Sequence, residues 1–453
     1  MELTAQNILH SIEQGKLEPF FRIAALFALF LALAAIYFFI QFAGLRHPDA
    51  MDQAQIARSI AAGNGFSTKY IRPLALWQLE RSGKSMPQGN FPDFSHQPLA
   101  PYINSFFLAL AKDHWQMNPL DIVYVCDRLI ILSSFIFFLL SAVVFYFVGR
   151  LLFDAKLAAL GTAAIVLTDL YWQFSLSGLP HMIVLFFFSL NCLFTIFAFK
   201  VRESNPALLW LWLPLAALAL ALATLAHGLA ACLFLGWIIA AFFLFRQNFL
   251  PLLLGAFLFL CALTPWLYRN YQVCGNPFGI SIFTALDPGN QPELKIMREF
   301  GLDLRAGARG LRSKIQDGII NQASKLFSFL GLNIAAIFFF ASLLHRFRSP
   351  ITEHFRWLLL AMWLSIFLGI AIFGVGEDPV SPNQFHVIFI APFSYFGSAF
   401  LVVLWNRLDL DSYFLDFLFR LGILFLVALP MLFTLILLKP PRIHWPPYVP
   451  PFL

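Results

Sequence analysis

Apolar residues fall in long runs, separated by short polar breaks and by two long polar stretches. A run of about twenty apolar residues is the length that crosses a bilayer as a helix. Spans are predicted near 21–44, 128–153, 156–171, 179–199, 206–226, 229–245, 249–268, 325–345, 356–375, 384–405 and 418–438. The pattern therefore predicts an all-α integral membrane protein, a bundle of roughly eleven transmembrane helices. Residues 1–453 read as one polytopic membrane domain with no separate soluble domain. Two segments, 156–171 and 229–245, are short for full spans, and a re-entrant path for either would change the parity.

Charge sets the orientation. With the N-terminus in the cytoplasm, Lys16, Arg22, Arg150, Lys156, Lys200, Arg202, Arg246, Arg346, Arg348, Arg356, Arg407 and Arg420 fall inside. The short outer loops near 172–178, 227–228 and 376–383 contain no Lys or Arg. This is the positive-inside asymmetry. The long loops, about 46–127 and 269–324, then both face outward, as does the tail Lys439–Leu453. The polar segment Met1–Pro19 lacks a small-residue cleavage site, so the first span is expected to be an uncleaved anchor.

Composition excludes several classes. At 60% hydrophobic and 12% charged, the chain is too apolar for a soluble protein. The net charge of +6 comes from basic residues scattered beside spans, so no nucleic-acid partner is expected. The five cysteines form no C-x-x-C pair, which argues against a cysteine zinc site or a disulfide framework. No Walker motif, G-x-G-x-x-G fingerprint or nucleophile elbow occurs, so no nucleotide cofactor is expected.

Candidate chemistry begins in the first outer loop. Residues 45–73 read LRHPDAMDQAQIARSIAAGNGFSTKYIRP. Pro48 suits the first turn of a helix, and Gly63-Asn64-Gly65 suits its end. Asp49 and Asp52 are expected in that first turn, near the surface and near the positive end of the helix dipole. Asp49, Asp52 and Gln53 stand at i, i+3 and i+4, on one face. Two acids there can hold a divalent metal ion, activate a hydroxyl, or simply cap the helix and meet water.

This stretch resembles the first outer loop of the C-type glycosyltransferase superfamily (GT-C), which includes protein O-mannosyltransferases and lipid A aminoarabinose transferases. Many members show an Asp, often Asp-Glu, then a helix ending in Ala-Arg, then Gly-x-Gly-Phe. Here these are Asp49, Ile56-Ala57-Arg58 and Gly63-Asn64-Gly65-Phe66, with Ala50 where Asp-Glu members have the second acid. A second stretch, Thr264-Pro265-Trp266-Leu267-Tyr268-Arg269-Asn270-Tyr271 with Gly275-Asn276-Pro277-Phe278, resembles the family's Pro-Trp-x-x-Arg-Asn-Tyr and Gly-x-Pro-Phe. Pro265 is expected to end its helix and Trp266 to anchor at headgroup level.

The resemblance implies a GT-C-like bundle and an inverting glycosyltransferase. It would move a sugar from a polyprenyl-phosphate carrier to a lipid, glycan or protein acceptor on the non-cytoplasmic side. That places the chain in the lipid bilayer of a cell envelope, in a bacterial inner membrane with the site facing the periplasm. In the family mechanism the loop Asp acts on the acceptor as general base or through a metal. Asp49 is then the first catalytic candidate, Asp52 the second, and the two together the candidate metal ligands. Arg269 is the candidate for the carrier phosphate, its guanidinium being suited to phosphate oxygens. His96, in His96-Gln97-Pro98-Leu99, resembles the family's His-Pro-Pro-Leu and can touch the phosphate or the acceptor. Gln53 and Arg58 are further substrate-binding candidates. Members place an Arg-Tyr pair where this chain has Gln384-Phe385-His386; the arginine is absent, and His386 is its candidate substitute. His181 and His227 map to the same outer level. A transporter or flippase, or a lipid-linked oligosaccharide ligase or polymerase, is the alternative; the second half does not repeat the first, which counts against the transporter.

Overall fold

In lipid every backbone amide must find its partner within its own segment, which leaves helices as the solution for apolar runs of this kind. The computed structural model describes residues 18–84, 89–111, 123–286, 304–376, 378–407 and parts of 413–432. In chain order the helices outside the first loop are α1 (Glu18–Ile36), α5 (Val125–Leu152), α6 (Ala155–Val166), α7 (Asp169–Ser177), α8 (His181–Val201) and α9 (Leu209–Ala226). They continue as α10 (Ala231–Leu244), α11 (Phe249–Cys274), α13 (Leu304–Phe329), α14 (Ile334–Ser342), α15 (Pro350–Phe373) and α16 (Ile390–Arg407). The first loop carries α2 (Pro48–Ala61), β1 (Ser67–Thr68), α3 (Pro73–Arg81), β2 (Phe91–Pro92) and α4 (Leu99–Ala109), and α12 (Ser281–Leu286) follows α11.

Seven helices among the described residues are long and apolar enough to span, or eight if a bent pair counts as one span. The expected count of about eleven is not reproduced, for physical reasons. The run 156–171 belongs to α6 and α7, which meet at a 50° bend. Asp169 at that bend is buried, and both Tyr37 and Gln173 donate to it. The run 229–245 is a shorter apolar helix. The run 325–345 is cut where Gly331 and Leu332 adopt positive φ, between α13 and α14. Most of 418–438 lies outside the described residues. Pro265 does not end its helix. It sits inside α11, which continues to Cys274; prolines are tolerated within membrane helices when neighbours satisfy the freed carbonyl.

Close packing relies on small residues, as expected where lipid supplies no hydrophobic drive between helices. A Cβ at Gly236 of α10 would stand 2.6 Å from Met362 Cα of α15. A Cβ at Gly397 of α16 would come closer still to the Ala335 carbonyl of α14. Aromatic stacking fills the rest, as in Phe339 on Phe393 at 3.8 Å between ring centroids.

One end of the bundle gathers the loops. His227, after α9, lies with its ring 4.8 Å from Phe385, which precedes α16. Gly178, after α7, packs against Leu45, before α2. The α4 helix buries Ala100, Pro101, Asn104, Ser105 and Leu108 and leaves the large apolar side chains of Tyr102 and Phe106 exposed, as is Leu110 just past its end.

Candidate active site

Three pieces of the first loop converge. The helix α2 starts at Pro48 with Asp49 in its first turn, and Asp52 falls one turn on. The expectation that both acids share the first turn near the surface is thus corrected: Asp52 points inward, 9% exposed, while Asp49 is half-buried. Gly63 and Gly65, both at positive φ, reverse the chain after α2. The returning segment forms a minimal antiparallel ribbon, Ser67 opposite Pro92 and Thr68 opposite Phe91. That ribbon sets Asp93 opposite Phe66, whose carbonyl accepts the Asp93 N–H at 3.3 Å, and Arg72 arrives as the residue before α3.

The result is a closed charge cluster. Thr68 donates its hydroxyl to Asp52 Oδ1 at 2.7 Å. Arg72 bridges the two acids, with Nη2 to Asp52 Oδ2 and Nη1 to Asp93 Oδ1, the latter at 2.6 Å. Asp93 Oδ2 also accepts the backbone N–H groups of Ser95 and His96, at 3.2 and 2.9 Å. His96 Nδ1 lies 3.3 Å from Asp93 Oδ2 and 3.6 Å from Asp52 Oδ2.

Burial alone would favour a neutral Asp93 and a neutral His96. Their mutual attraction outweighs it. For Asp93, burial is opposed by the His96 charge and hydrogen bond and then by Arg72, which hold the carboxyl well below its usual range. For His96, burial is opposed by Asp93, and the ring rises to about 9. At neutral pH the Asp93 carboxylate is therefore matched by a charged His96, with the Arg72 guanidinium beside both.

Asp52, Asp93 and His96 also offer one ligand atom each, all within 4.8 Å of one another. Two oxygens and one imidazole nitrogen suit a divalent ion. These residues fit such an ion, provided His96 gives up its proton and Arg72 releases one carboxylate edge. Of the expected metal pair, Asp52 is in this set and Asp49 stands one turn away from it.

Asp49 is different in kind. Half-buried, it accepts no hydrogen bond among the described residues. It lies within electrostatic reach of His227. Burial pushes the His227 ring down to about 4, with Asp49 pulling it up and His96 pushing it down. His227 is therefore neutral near pH 7; its Nδ1 accepts the Leu229 N–H at 3.3 Å. His181, fully buried, has its ring 5.9 Å from that of His227.

Arg269 joins this polar site to an apolar one. Its Nη1 donates to the Asp93 carbonyl and its Nη2 to the Phe66 carbonyl at 3.1 Å. Its guanidinium also covers the rings of Trp266 (4.8 Å) and Phe66 (5.3 Å). The same arginine lines a cavity of about 340 Å³ with Leu99, Tyr102, Leu225, Ala262 and Pro265.

The remaining candidates scatter. Gln53 is buried on α2. Arg58 lies over the Tyr124 ring at 5.4 Å. His386 is sealed in the bundle: Trp363 Nε1 donates to its Nδ1 at 3.1 Å, its Nε2 meets Gln322 at 3.0 Å, and Phe329 stacks on it. Both its nitrogens are engaged, so it offers nothing to a phosphate in this arrangement. Sequence reasoning missed Arg72, Thr68 and the role of Asp93. The one available signal was Asp93-Phe94-Ser95-His96, an acid and an imidazole three apart between prolines.

Gly279 braces the cluster from behind. It has positive φ, and an added Cβ would collide with the Phe94 carbonyl, next to Asp93. Gly279→Ala is therefore expected to shift the segment that carries Asp93 and His96. A displacement of about 1 Å in such a site costs about 10²-fold in rate. A thermal melt and a transfer assay check this; wild-type rates with Ala would show that the segment yields without cost.

No protein-family model matches the chain, and no curated protein sequence matches it. Solved structures do match, and they define the class of fold: a C-type glycosyltransferase fold, the one the two sequence stretches imply. One is the oligosaccharyltransferase of Archaeoglobus fulgidus tethered to an acceptor peptide with an NVT sequon. It superposes with TM-score 0.59 at 15% identity, over 93% of this chain and 55% of its own. The same enzyme in complex with Zn and sulfate gives 0.55 at 15% identity, over 90% and 52%. ArnT from Cupriavidus metallidurans bound to undecaprenyl phosphate gives 0.54 at 16% identity, over 90% and 70%. This chain thus spans about half the length of the oligosaccharyltransferase.

Proposed function

We propose that this protein is a membrane glycosyltransferase that moves a sugar from a polyprenyl-phosphate carrier to an acceptor hydroxyl or amide. The observation that carries this is the double placement of Arg269. One side of its guanidinium borders an apolar cavity, and the other is tied to Asp93 of the charge cluster. A lipid phosphate has the matching anatomy: an apolar chain, then an anion, then the sugar at the reacting end. Solved structures of the same fold hold undecaprenyl phosphate and an acceptor peptide, which supports the reading.

In this reading Asp49 takes the proton from the acceptor. The acceptor oxygen or nitrogen bonds to the anomeric carbon, and the bond from that carbon to the phosphate oxygen breaks. The electron pair leaves on the phosphate, where the Arg269 guanidinium stabilises it. Attack opposite the leaving group inverts the anomeric centre. A divalent ion held by Asp52, Asp93 and His96 would supply a further positive charge at that phosphate.

Arg269→Lys tests the proposal. Lysine keeps the charge but loses the planar fork that spans the Asp93 and Phe66 carbonyls. Transfer should fall at least tenfold, and undecaprenyl-phosphate binding to purified protein should weaken, with the protein still folded. Full carrier affinity in both Arg269→Lys and Arg269→Ala would leave only a bracing role.

The site is proposed to face the non-cytoplasmic side of a bacterial inner membrane, from the charge asymmetry of the short loops. Cysteines placed at exposed Lys69 and Ser313 should both react with an impermeant maleimide in intact cells. Protection of either would overturn that orientation.

A further inference from the structure

A second cavity, of about 330 Å³, opens between α3, the end of α11 and α12, and the transfer step above leaves it without a role. Its lining includes Trp77, Gln78, Arg81, Asn276 and Phe283. It backs directly onto the charge cluster. Gln78 Nε2 donates to the Gly279 carbonyl at 3.2 Å, and Gly279 presses on the Phe94 carbonyl, next to Asp93.

Three features of the lining specify a ligand. The first is aromatic. Trp77 and Phe283 meet edge to face at 5.9 Å, and they offer apolar faces of the kind that pack on the C–H face of a pyranose. The second is an orphaned acceptor. Gln78 is 5% exposed and its Oε1 has no hydrogen-bond partner. Turning the amide over does not relieve this, because its oxygen would then face the Gly279 carbonyl oxygen, which Asn276 Nδ2 already donates to at 3.0 Å. A buried acceptor in this position calls for a donor, and a hydroxyl is one. The third is charge. Arg81 is the one charged residue among those named, its guanidinium 5.2 Å above the Trp77 ring. A planar guanidinium fork suits a carboxylate or a phosphate. The volume lies at the low end of small-molecule sites, about 300–1,000 Å³, and leaves room for one or two rings.

We propose that this cavity binds the acceptor as a saccharide ring carrying a carboxylate or phosphate, stacked on Trp77, hydroxyl to Gln78, anion to Arg81. The proposal rests on the glycosyl-transfer reading only for the word acceptor; the binding itself stands apart from it.

Saturation-transfer NMR on the full-length protein in nanodiscs tests it. The probes are glucuronate, glucose 6-phosphate, glucose and inorganic phosphate. Both anionic sugars should bind saturably and better than glucose or phosphate alone. Arg81→Ala should weaken them at least tenfold and bring them to the level of glucose; Arg81 is exposed, so the fold should hold. Gln78→Leu and Trp77→Leu should weaken all three sugars. The better of the two anions tells whether the natural group is a carboxylate or a phosphate. No saturable sugar binding, or binding untouched by Arg81→Ala and Trp77→Leu, overturns the proposal. Equal binding of inorganic phosphate overturns it as well, because that is a bare anion site. Undecaprenyl-phosphate binding is read in the same samples. Its loss while glucuronate still binds would defeat the glycosyl-transfer reading alone.

Discussion

Asp49→Asn should lower sugar transfer by about 10²–10⁴-fold, the usual weight of a general base, with a melting temperature close to wild type. The structure separates the two loop acids more sharply than their spacing suggests. Asp52 is buried, held by Thr68 and Arg72, and shares its charge with both. A carboxylate bound to a guanidinium is a weak base, since its lone pairs are already engaged. Asp49 is half-buried and accepts no hydrogen bond among the described residues. In the proposed step it takes the proton from the acceptor. Changing it to an amide removes the base without leaving any buried cation unpaired. Asp52→Asn should behave in the opposite way. It strips one carboxylate from Arg72, and breaking a buried pair by removing one partner costs about 3–5 kcal/mol. That variant should melt earlier and lose activity as the site loosens. The comparison needs both variants in one transfer assay, with thermal melts alongside. Normal transfer by Asp49→Asn would move the base elsewhere and remove the main chemical support for the enzyme reading.

How much of this was legible in the sequence depends on the distance over which each interaction acts. The bracket of α2 was readable, because Pro48 and the Gly63–Gly65 turn are local signals. The motif singled out Arg269 as a candidate, but its partners were not readable. It reaches back to Phe66 and Asp93, far away in the chain, and no periodicity encodes such a contact. The Arg72–Asp52 and Arg72–Asp93 pairs failed for the same reason: a short ribbon brings them together, and two-residue strands leave almost no trace in a pattern. The count of about eleven spans is not confirmed where the chain breaks its own helices. Positive φ at Gly331 and Leu332 splits one apolar run, and an aspartate sits at the α6–α7 bend. Hydropathy sees apolar length and is blind to direction. His386 shows the complementary error. Its place at the start of a span suggested a ligand-facing group, whereas Trp363, Gln322 and Phe329 close around it.

The cluster should also write its own pH profile. Raising the His96 ring from 6.5 to about 9 corresponds to roughly 3 kcal/mol. That energy belongs to the His96–Asp93 pair rather than to either residue. The sign follows from which form is favoured. A group with a raised folded pKa stabilises fully below its unfolded value, here 6.5, and loses that contribution as pH rises through about 9. Asp93 works at the other end: its stabilisation is present above the ordinary carboxylate value, and it is lost only in strong acid. The wild-type protein should therefore melt progressively earlier between about pH 7 and 9.5. His96→Gln, which cannot titrate there, should melt earlier at pH 7 and show little further drop up to pH 9.5. A divalent ion adds a second test, since it must displace the His96 proton. Its affinity should climb as pH rises toward 9, and saturating ion should suppress the alkaline loss of stability. An alkaline transition that survives unchanged in His96→Gln would place its origin outside the cluster. Ion affinity flat across pH 7–9 would mean that the ion does not bind at His96.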